Sequence, residues 1–481
     1  MSVADHPTRA PADGAVAPSG GTLPRGCQRR LCGWGRASFS RATVIAAHSA
    51  DDVADVLANR AIAAGGVIAR GAGCSYGDAA QNAAGTVLDL TGFDRILAID
   101  AQGGQVRVQA GVTYAQLLEQ LVPRGFMLPV IPGTRHVTIG GAIASDVHGK
   151  NHPRDGSLAR HVLSVALCTP AGGLREVSRG SDPDLLAATC GGMGLTGVLA
   201  EATLAIEPLQ TPWWALDTDR TNSLDDTLAL MARDEGHRFS VAWLDLLARG
   251  ASMGQAVVTR SNDWIGAAPS GESATRTDAA LTARPRLQIP RGFPGSVLAP
   301  PLIAAFNAVR WRAFPRHERG RPAPLAPHFF PLDGLGAWNR LYGTRGLLQY
   351  QLALGDAHAP TLMRCVEVLR ERRIPSYLAV LKRLGPGSDA PLSFPIEGWT
   401  LALDIPAWAP GLRPALDTLD ELVARAGGRV YLTKDARLRR DLLDAMYPGL
   451  PRFRAQQALV DPDGVLRSDL GRRLGLCRTA A

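Results

Sequence analysis

A glycine-rich segment in the first third of the chain is the clearest candidate for chemistry. Pro132-Gly133-Thr134 is followed by Thr138-Ile139-Gly140-Gly141 and then by small residues up to His148 and Lys150. Small side chains let a backbone approach a flat or anionic ligand closely. A run of amide N–H groups can also bind a diphosphate without a cationic side chain. The segment therefore predicts contact with a phosphate-bearing cofactor.

A second glycine-rich loop lies upstream, at Arg70-Gly71-Ala72-Gly73-Cys74-Ser75-Tyr76-Gly77-Asp78. Its spacing is GxGxxxG and no helical pattern follows it, whereas a Rossmann fingerprint needs a strand, the glycines and then a helix. Alone, the motif is consistent with an ordinary loop. Together, the two loops predict an extended cofactor that is bound along its length.

Four side chains could bind or transfer protons: His148, Lys150, Lys382 and Lys434. The charge of Lys150 disfavours an imidazolium nearby, so a neutral His148 is expected. Lys382 and Lys434 end apolar, strand-like runs, where a buried ammonium is costly unless it is paired or functional. The alternative is that both lysines reach solvent along their apolar stems.

Gln349 and Gln351 alternate on a predicted strand, so both amides project from one face. That face could hydrogen-bond a sugar or the edge of a flavin ring. In the alternative interpretation it is the solvent face of an edge strand.

The elements around these residues alternate without a regular βαβ rhythm. Helices are predicted from Ser49 to Ala64 and from Tyr114 to Arg124. Strands are predicted at 67–69, 86–90, 95–99 and 105–109, the last two forming a hairpin around Gly103-Gly104. This order favours an α+β fold over a doubly wound sheet.

Composition limits the class of protein. The chain has 481 residues, is 46% hydrophobic and carries a formal net charge of +8. Its length predicts two or three domains, and its charge suits an anionic ligand or a membrane surface. No nucleic-acid-binding signature is present, so nucleic acid is not an expected partner.

Cysteine usage and the N-terminus bear on metal sites and location. None of the seven cysteines forms a CxxC pair, so neither a metal site nor a disulfide framework is expected. No apolar run is long enough to span a membrane, and residues 1–25 lack the apolar core of a signal peptide. A cytoplasmic protein is expected, with peripheral contact to the inner membrane.

An arginine-rich stretch interrupts the second half of the chain. From Arg284 to Phe330 there are nine prolines and eight arginines against one carboxylate, Glu318. This composition predicts an irregular insert, which is either a solvated linker or a lid that meets a phosphate and a lipid tail.

The motifs together resemble the flavin oxidases of the vanillyl-alcohol-oxidase/PCMH superfamily, and within it the decaprenylphosphoryl-β-D-ribose 2′-oxidase family. The resemblance covers roughly residues 32–475. Besides the two glycine loops, the matching runs are His148-Gly149-Lys150-Asn151-His152, Gly191-Gly192-x-Gly194-Leu195-Thr196-Gly197, Trp338-Asn339-Arg340, Leu348-Gln349-Tyr350-Gln351, Pro391-Leu392-Ser393-Phe394-Pro395-Ile396, Lys434-Asp435 and Met446-Tyr447-Pro448.

The resemblance implies a two-part, PCMH-type FAD-binding domain and an antiparallel-sheet substrate domain. Residues 1–31 are expected to form a disordered arm, 32–211 the first part of the FAD domain, 212–427 the substrate domain with an irregular insert at about 265–330, and 428–481 the segment that completes the FAD domain.

The resemblance also implies the site residues. FAD contacts are expected at Arg70, Gly71, Ala72, Gly73, Cys74, Ser75, Tyr76, Gly77, Gly133, Thr138, Gly140, Gly141, Ser145, Asp146, His148, Val198 and Tyr431. Catalytic roles are expected for Lys434, Tyr76 and His148, and substrate contacts at Lys150, Gln349, Gln351, Lys382 and Thr400.

Three positions depart from the family pattern. Cys74 occupies the place of the histidine that tethers the flavin in covalent members, so non-covalent FAD is expected. Thr400 and Ala402 replace an asparagine and a cysteine of the ribose oxidases.

The implied reaction is oxidation of the 2′-hydroxyl of a polyprenylphosphoryl-β-D-ribose to the 2-keto sugar, the first half of an epimerisation to arabinose. A separate NAD(P)H-dependent short-chain reductase would act on the product. The alternatives are an aldonolactone or alditol oxidase acting on a soluble sugar, and a flavin-binding subunit without catalysis.

Overall fold

The computed structural model describes residues 26–248, 250–265, 285, 287–295 and 298–478. Two sheets form the first half of the chain. The strands there are β1 (Cys27–Cys32), β2 (Phe39–Ala46), β3 (Val67–Arg70), β4 (Thr86–Asp89), β5 (Ile96–Asp100), β6 (Gln105–Gln109), β7 (Phe126–Met127), β8 (Val162–Thr169), β9 (Gly173–Ser178), β10 (Val198–Ala205) and β11 (Glu207–Pro208). The helices are α1 (Ala50–Ala58), α2 (Arg60–Ala64), α3 (Tyr114–Leu121), α4 (Ile139–Ala144), α5 (His152–Asp155) and α6 (Pro183–Thr189).

The first sheet has the order β1-β2-β4-β3, and the second has the order β5-β6-β10-β8-β9. Strands β2, β4 and β3 are parallel, whereas the second sheet is antiparallel throughout. The loop 70–78 leaves the end of β3, and α4 lies within the segment 132–150. The two sheets thus place both glycine loops in one domain.

The second half is built on one large sheet. Its strands and their neighbours are β12 (Trp213–Thr221), β13 (Phe239–Asp245), β14 (Gln255–Asp263), β15 (Leu287–Gln288), β16 (His317–Pro324), β17 (Leu335–Gly336), β18 (Leu347–Gly355), β19 (Leu378–Leu384), β20 (Gly398–Pro406) and β21 (Arg429–Val430). The helices are α7 (Leu224–Ala232), α8 (Pro300–Ala313), α9 (Leu325–Phe329), α10 (Ala359–Glu371), α11 (Leu412–Arg425), α12 (Leu443–Met446), α13 (Leu450–Val460) and α14 (Asp469–Leu474). The eight-stranded order is β16-β12-β14-β13-β19-β20-β18-β21.

Strand alternation gives the large sheet two different faces. Tyr350, Leu352 and Leu354 of β18 belong to the apolar core that includes residues of α10 and α11. Gln349 and Gln351, between them in sequence, point to the opposite face, because successive side chains of a strand alternate. Helices therefore cover one face, and the other carries polar groups.

The C-terminal segment returns to the first half of the chain. The N–H of Val67 donates to the carbonyl of Val465, and the N–H of Arg467 donates to the carbonyl of Val67. Strand β21 adds to the large sheet beside β18. The mixture of helices with largely antiparallel sheets confirms the prediction of an α+β fold.

Several local predictions need correction. The helix predicted from Ser49 to Ala64 breaks at Asn59, whose extended backbone ends α1 and whose side chain caps α2. Lys434 follows a two-residue strand and lies in a turn, since the N–H of Lys434 donates to the carbonyl of Tyr431. β18 is an interior strand between β20 and β21, not an edge strand.

The insert predicted as irregular at about 265–330 contains regular structure where it is described. It includes the 14-residue helix α8 and the eight-residue strand β16, which forms one edge of the large sheet. Residues 266–284 of the insert and residues 1–25 of the predicted arm 1–31 lie outside the described residues. The prediction of a disordered arm is wrong for residues 27–31, because they belong to strand β1, which pairs with β2. Within the described part, no helix is both long and apolar enough to cross a membrane.

Candidate active site

The two glycine loops meet and enclose a cavity. A Cβ on Gly71 would lie 2.1 Å from Thr138 Oγ1, so only glycine allows this approach. The Cys74 thiol donates to the carbonyl of His136 at 3.5 Å. The cavity extends from these loops to the polar face of the large sheet.

Most of the predicted site residues line this cavity. They are Gly71, Ala72, Gly73, Cys74, Ser75, Tyr76, Gly133, Thr138, Gly140, Gly141, Ser145, His148, Gln349, Gln351, Lys382, Tyr431 and Lys434. Sequence reasoning missed Trp34, Met193, Asp333 and Trp338 in the lining. A signal existed for Trp338, because it belongs to a motif that carries the family resemblance.

Six predicted residues lie outside the lining: Arg70, Gly77, Asp146, Lys150, Val198 and Thr400. Three of them hold the loops in place. Arg70 donates to the carbonyls of Ala80 and Cys32, and Gly77 packs against the carbonyl of Asp435. Asp146 accepts hydrogen bonds from three serine hydroxyls, those of Ser157, Ser388 and Ser393.

Lys150 is also directed away from the cavity. Its Nζ donates to the carbonyl of His328 at 2.5 Å and lies 5.7 Å from the ring centre of Phe329. Burial lowers the pKa of Lys150 to about 8. In this geometry Lys150 supports the second glycine loop from behind, and its predicted substrate contact stays a prediction.

The cavity fits a flat dinucleotide such as FAD. No atom lies within 4 Å of a Cβ placed on Gly133, so the backbone there is open to a ligand. His148 Nδ1 is buried without a hydrogen-bond partner. Bare loop backbone and an unsatisfied ring nitrogen are both features that a bound cofactor would complete.

Gln351 sets the orientation of His148. Its Nε2 lies 3.1 Å from His148 Nε2 and donates to Thr400 Oγ1 at 3.1 Å. When the amide donates to Nε2, the neutral imidazole carries its proton on the unpartnered Nδ1. Thr400 thus acts on the site through Gln351.

A neutral His148 is also what the electrostatics favour. Burial lowers the pKa of His148 well below its usual value, and Lys382, His152 and Lys434 lower it further. The expectation of a neutral ring is confirmed, but the cause is burial and Lys382 rather than Lys150.

Lys434 and Tyr76 lie in contact at one corner of the cavity. Lys434 Nζ lies 4.0 Å from the centre of the Tyr76 ring, within range of a cation–π contact. Burial lowers the pKa of Lys434 to about 8, while Asp404 raises it. Burial raises the pKa of Tyr76 well above its usual value. Lys434 can therefore accept a proton near neutral pH, and Tyr76 stays protonated.

The few lysines of this chain lie in the cavity or behind its lining. The sequence contains three lysines, Lys150, Lys382 and Lys434, among 52 lysines and arginines. None of the three is exposed. Burial, together with the charges of Lys434 and Lys150, lowers the pKa of Lys382 to about 7. An ammonium can lose its proton under such conditions, whereas a guanidinium cannot.

Asp404 lies behind the cavity lining, bonded to Gln349, and sequence reasoning missed it. It is 1% exposed, and its Oδ1 accepts from Gln349 Nε2 at 2.5 Å while Oδ2 has no partner. Burial raises its pKa to about 7. The available signal was its spacing on β20. Asp404 follows Ala402 by two positions and Thr400 by four, so all three side chains point to one face of the sheet.

The described residues contain no group of three or more histidine, cysteine, aspartate or glutamate side chains that could hold a metal ion.

Residues 42–178 match the FAD binding domain family. Over 453 residues the chain is 37% identical to decaprenylphosphoryl-beta-D-ribose oxidase of Mycolicibacterium smegmatis, which covers 93% of this chain and 98% of that protein. The chain belongs to the decaprenylphosphoryl-β-D-ribose oxidase family. The predicted family, the PCMH-type FAD domain and the assignment as an FAD-dependent oxidoreductase are thereby confirmed.

More distant relatives of the family are also oxidoreductases. Alditol oxidase of a Streptomyces species is 25% identical over 86% of this chain and 91% of its own length. L-galactono-1,4-lactone dehydrogenase 1 of rice is 38% identical, but over only 28% of this chain and 23% of its own length.

Proposed function

We propose that this chain oxidises the 2′-hydroxyl of a polyprenylphosphoryl-β-D-ribose to the 2-keto sugar. The proposal is supported by its family and by one observation above all. Lys434, with a pKa of about 8, faces the same cavity as the glycine loops, Gln349, Gln351 and Lys382. FAD, when bound by the loops, supplies the two-electron oxidant.

The remaining roles belong to the chain's own residues. Lys434 takes the proton of the sugar hydroxyl as a general base, and a base of this kind contributes roughly 10²–10⁴-fold to the rate. Tyr76 stays protonated and orients the same hydroxyl. Gln349 and Lys382 hydrogen-bond the ring oxygens and the phosphate, and His148 donates from Nδ1 to the cofactor.

Lys434→Ala tests the central role. The variant should retain the yellow cofactor, yet the rate of anaerobic flavin bleaching by polyprenylphosphoryl ribose should fall roughly 10²–10⁴-fold. Lys434→Arg is the matched comparison, because it keeps the positive charge but cannot act as a base at neutral pH.

The two variants separate proton transfer from charge. If Lys434→Arg bleaches as fast as the unmodified protein, the lysine serves only as a cation. If Lys434→Ala also bleaches at the full rate, Lys434 has no part in the reaction.

We infer that FAD is held without a covalent bond. Cys74 lies in the loop where covalent relatives carry a histidine, and burial raises the pKa of its thiol to about 11. A protonated thiol is a poor nucleophile. Acid precipitation should leave all the flavin in the supernatant; yellow protein in the pellet would refute this inference.

The proposal also includes the enzyme that acts on the keto product and an alternative substrate. The keto product would pass to a separate NAD(P)H-dependent short-chain reductase. The second candidate function, oxidation of a soluble alditol, is favoured by the near full-length match to alditol oxidase. Comparing xylitol with polyprenylphosphoryl ribose as flavin reductants discriminates between them.

A further inference from the structure

Helix α8 has apolar side chains on two opposite faces. Ile303 and Trp311 are partly buried on one face, whereas Leu302, Phe306 and Val309 on the other are 55%, 57% and 69% exposed. A helix that is hydrophobic all round is normally buried in a core or in lipid. The outer face of α8 therefore lacks a partner among the described residues.

The inner face is attached to the large sheet by specific hydrogen bonds. Asn307 Nδ2 donates to Asp245 Oδ1 at 2.9 Å. Trp311 Nε1 donates at 3.2 Å to the carbonyls of both Thr221 and Ala256. Because these contacts fix the rotation of the helix, it cannot turn its outer apolar side chains inward.

The outer residues form one stripe with an arginine beside it. Leu302, Phe306 and Val309 follow the i, i+4, i+7 spacing that places side chains on one helical face. Arg312 adjoins this stripe on one side. Arg310, on the other side, packs against aromatic rings, with its guanidinium 4.8 Å from the ring centre of Trp243 and 5.7 Å from that of Phe314. We call Leu302, Phe306 and Val309 with Arg312 the outer stripe.

The charge around the stripe has one sign. Residues 300–321 contain five arginines and one carboxylate, Glu318. Glu318 pairs with Arg321, while Arg319 pairs with Asp217 and Asp219 of β12. Arg312 and Arg316 have no carboxylate partner among the described residues. An apolar stripe bordered by unpaired arginines is complementary to a surface that is anionic outside and apolar inside.

We propose that the outer stripe docks the protein onto an anionic phospholipid bilayer. Phe306, Leu302 and Val309 would enter the acyl boundary while Arg312 and Arg316 meet lipid phosphates. A second copy of this chain is a poorer occupant, since a two-fold contact would place these arginines against each other. The proposal stands on the helix alone, so it can fail while the proposed reaction holds.

Helix α8 lies next to residues that line the cavity. Ile303, on the inner face, packs in the same cluster as Leu298, Trp338 and Tyr76. Trp338 and Tyr76 line the cavity. A lipid-linked substrate could thus pass from the bilayer to the site beneath the same helix.

Vesicle flotation of the holoenzyme without sugar substrate tests the docking. Binding to vesicles of phosphatidylglycerol and phosphatidylcholine should exceed binding to phosphatidylcholine alone, and salt should weaken it. Leu302→Ser/Val309→Ser should lower the partition coefficient by roughly tenfold or more. In Phe306→Trp, the added tryptophan emission should shift to the blue and be quenched by brominated lipid.

The matched control is Leu174→Ser/Leu459→Ser, which removes two leucines that are 53% and 69% exposed elsewhere. This control should float like the unmodified protein. Flavin reduction by a water-soluble short-chain substrate should be unchanged in both double variants. The proposal is overturned if the protein ignores anionic vesicles, if both double variants lose binding equally, or if the chain forms dimers that Phe306→Glu separates.

Discussion

Lys434 and Asp404 titrate in the same range of pH. Burial lowers the pKa of Lys434 to about 8 and raises that of Asp404 to about 7. Because the carboxylate raises the pKa of Lys434, the proton affinity of the lysine depends on the charge of Asp404. Gln349 connects Asp404 to the cavity through its 2.5 Å hydrogen bond.

Replacing Asp404 by asparagine should change the pH dependence of the reaction. The neutral amide removes a negative charge that raises the pKa of Lys434, so the pKa of the lysine should fall. If deprotonated Lys434 is the base, the acid limb of the profile should move to lower pH by roughly one unit. The measurement is the rate of anaerobic flavin reduction against pH.

Asp420→Asn is the control for this shift. Asp420 is also buried, and its pKa is raised to about 6 by burial, but it pairs with Arg437 on the helix-covered side of the large sheet. It should lower the free energy of unfolding without moving the profile. An unshifted profile in Asp404→Asn would show that Asp404 does not act on the base.

Residue patterns predicted only part of this corner. Lys382 and Lys434 were predicted as candidate site residues because burying an ammonium in an apolar run is costly. Gln349 and Gln351 were predicted because alternate side chains of a strand share one face. Asp404 alternates in the same way on β20, but sequence alone does not say which face of a strand meets a cavity. That choice depends on α10 and α11 covering the other face.

At the level of elements, the site is an assembly of loops in close contact. A Cβ on Gly77 would lie 1.6 Å from the carbonyl oxygen of Asp435, and the N–H of Tyr76 donates to the carbonyl of Thr433. The first glycine loop therefore rests directly on the turn that carries Lys434, and small changes in one loop displace the other.

Substitutions at Gly77 and Gly133 should affect different properties: the first the stability of the protein, and the second its affinity for FAD. Gly77→Ala should destabilise the protein by about 1–3 kcal/mol, because backbone must move to admit the methyl group. Gly133→Ala meets no atom within 4 Å and should alter stability by less than about 0.5 kcal/mol. Its methyl group should instead weaken FAD binding. Thermal unfolding of the apoprotein and FAD titration measure the two effects, and equal effects on both would contradict this division.

Elements with strong capping signals were predicted well. Thr113 and Gln116 form a capping box that starts α3, and the segment after it ends at Gly125 with a φ of 75°. The break at Asn59 was not predicted, because apolar spacing continues through it while its side chain caps α2. Strand-like residues before Lys434 form a turn because packing of the loops overrides local preference.

At the level of the whole molecule, Arg473 provides one of the links between the first and last parts of the described chain. Arg473 donates to both carboxylate oxygens of Asp78 at 2.9 and 3.1 Å and to Asp435 at 2.8 Å. Asp78 and Asp435 are 7% and 5% exposed. Arg473 thus joins α14, the first glycine loop and the Lys434 turn.

Arg473→Met should destabilise the protein by about 3–5 kcal/mol, because it removes the cation that is bound to two buried carboxylates. Urea unfolding of the FAD-saturated protein measures the loss. Adding Asp78→Asn and Asp435→Asn should restore part of it, and a triple variant no more stable than Arg473→Met would contradict the argument. Arg425→Met, which breaks an exposed pair with Glu421, should cost less than about 1 kcal/mol.

Long-range assembly was the least accessible part of the fold to residue patterns. Periodicity locates helices and strands, but nothing in it says that Val465 and Arg467 pair with Val67. That expectation came with the family resemblance, which implied a flavin domain built from both ends. The apolar outer face of α8 also escaped prediction, because its arginines and prolines suggested an irregular insert.

Because the chain has only three lysines and all are enclosed, acylating reagents should label the protein selectively. Forty-nine of its 52 cationic side chains are arginines, which such reagents spare, and Lys382 and Lys434 lose their protons near pH 7 and 8. Apart from the terminal amine and Lys150, which lies outside the cavity lining, a cavity-sized amine-directed probe has no competing targets. Mass spectrometry of acylated peptides would then report occupancy of the pocket directly, in the presence of any competitor for it.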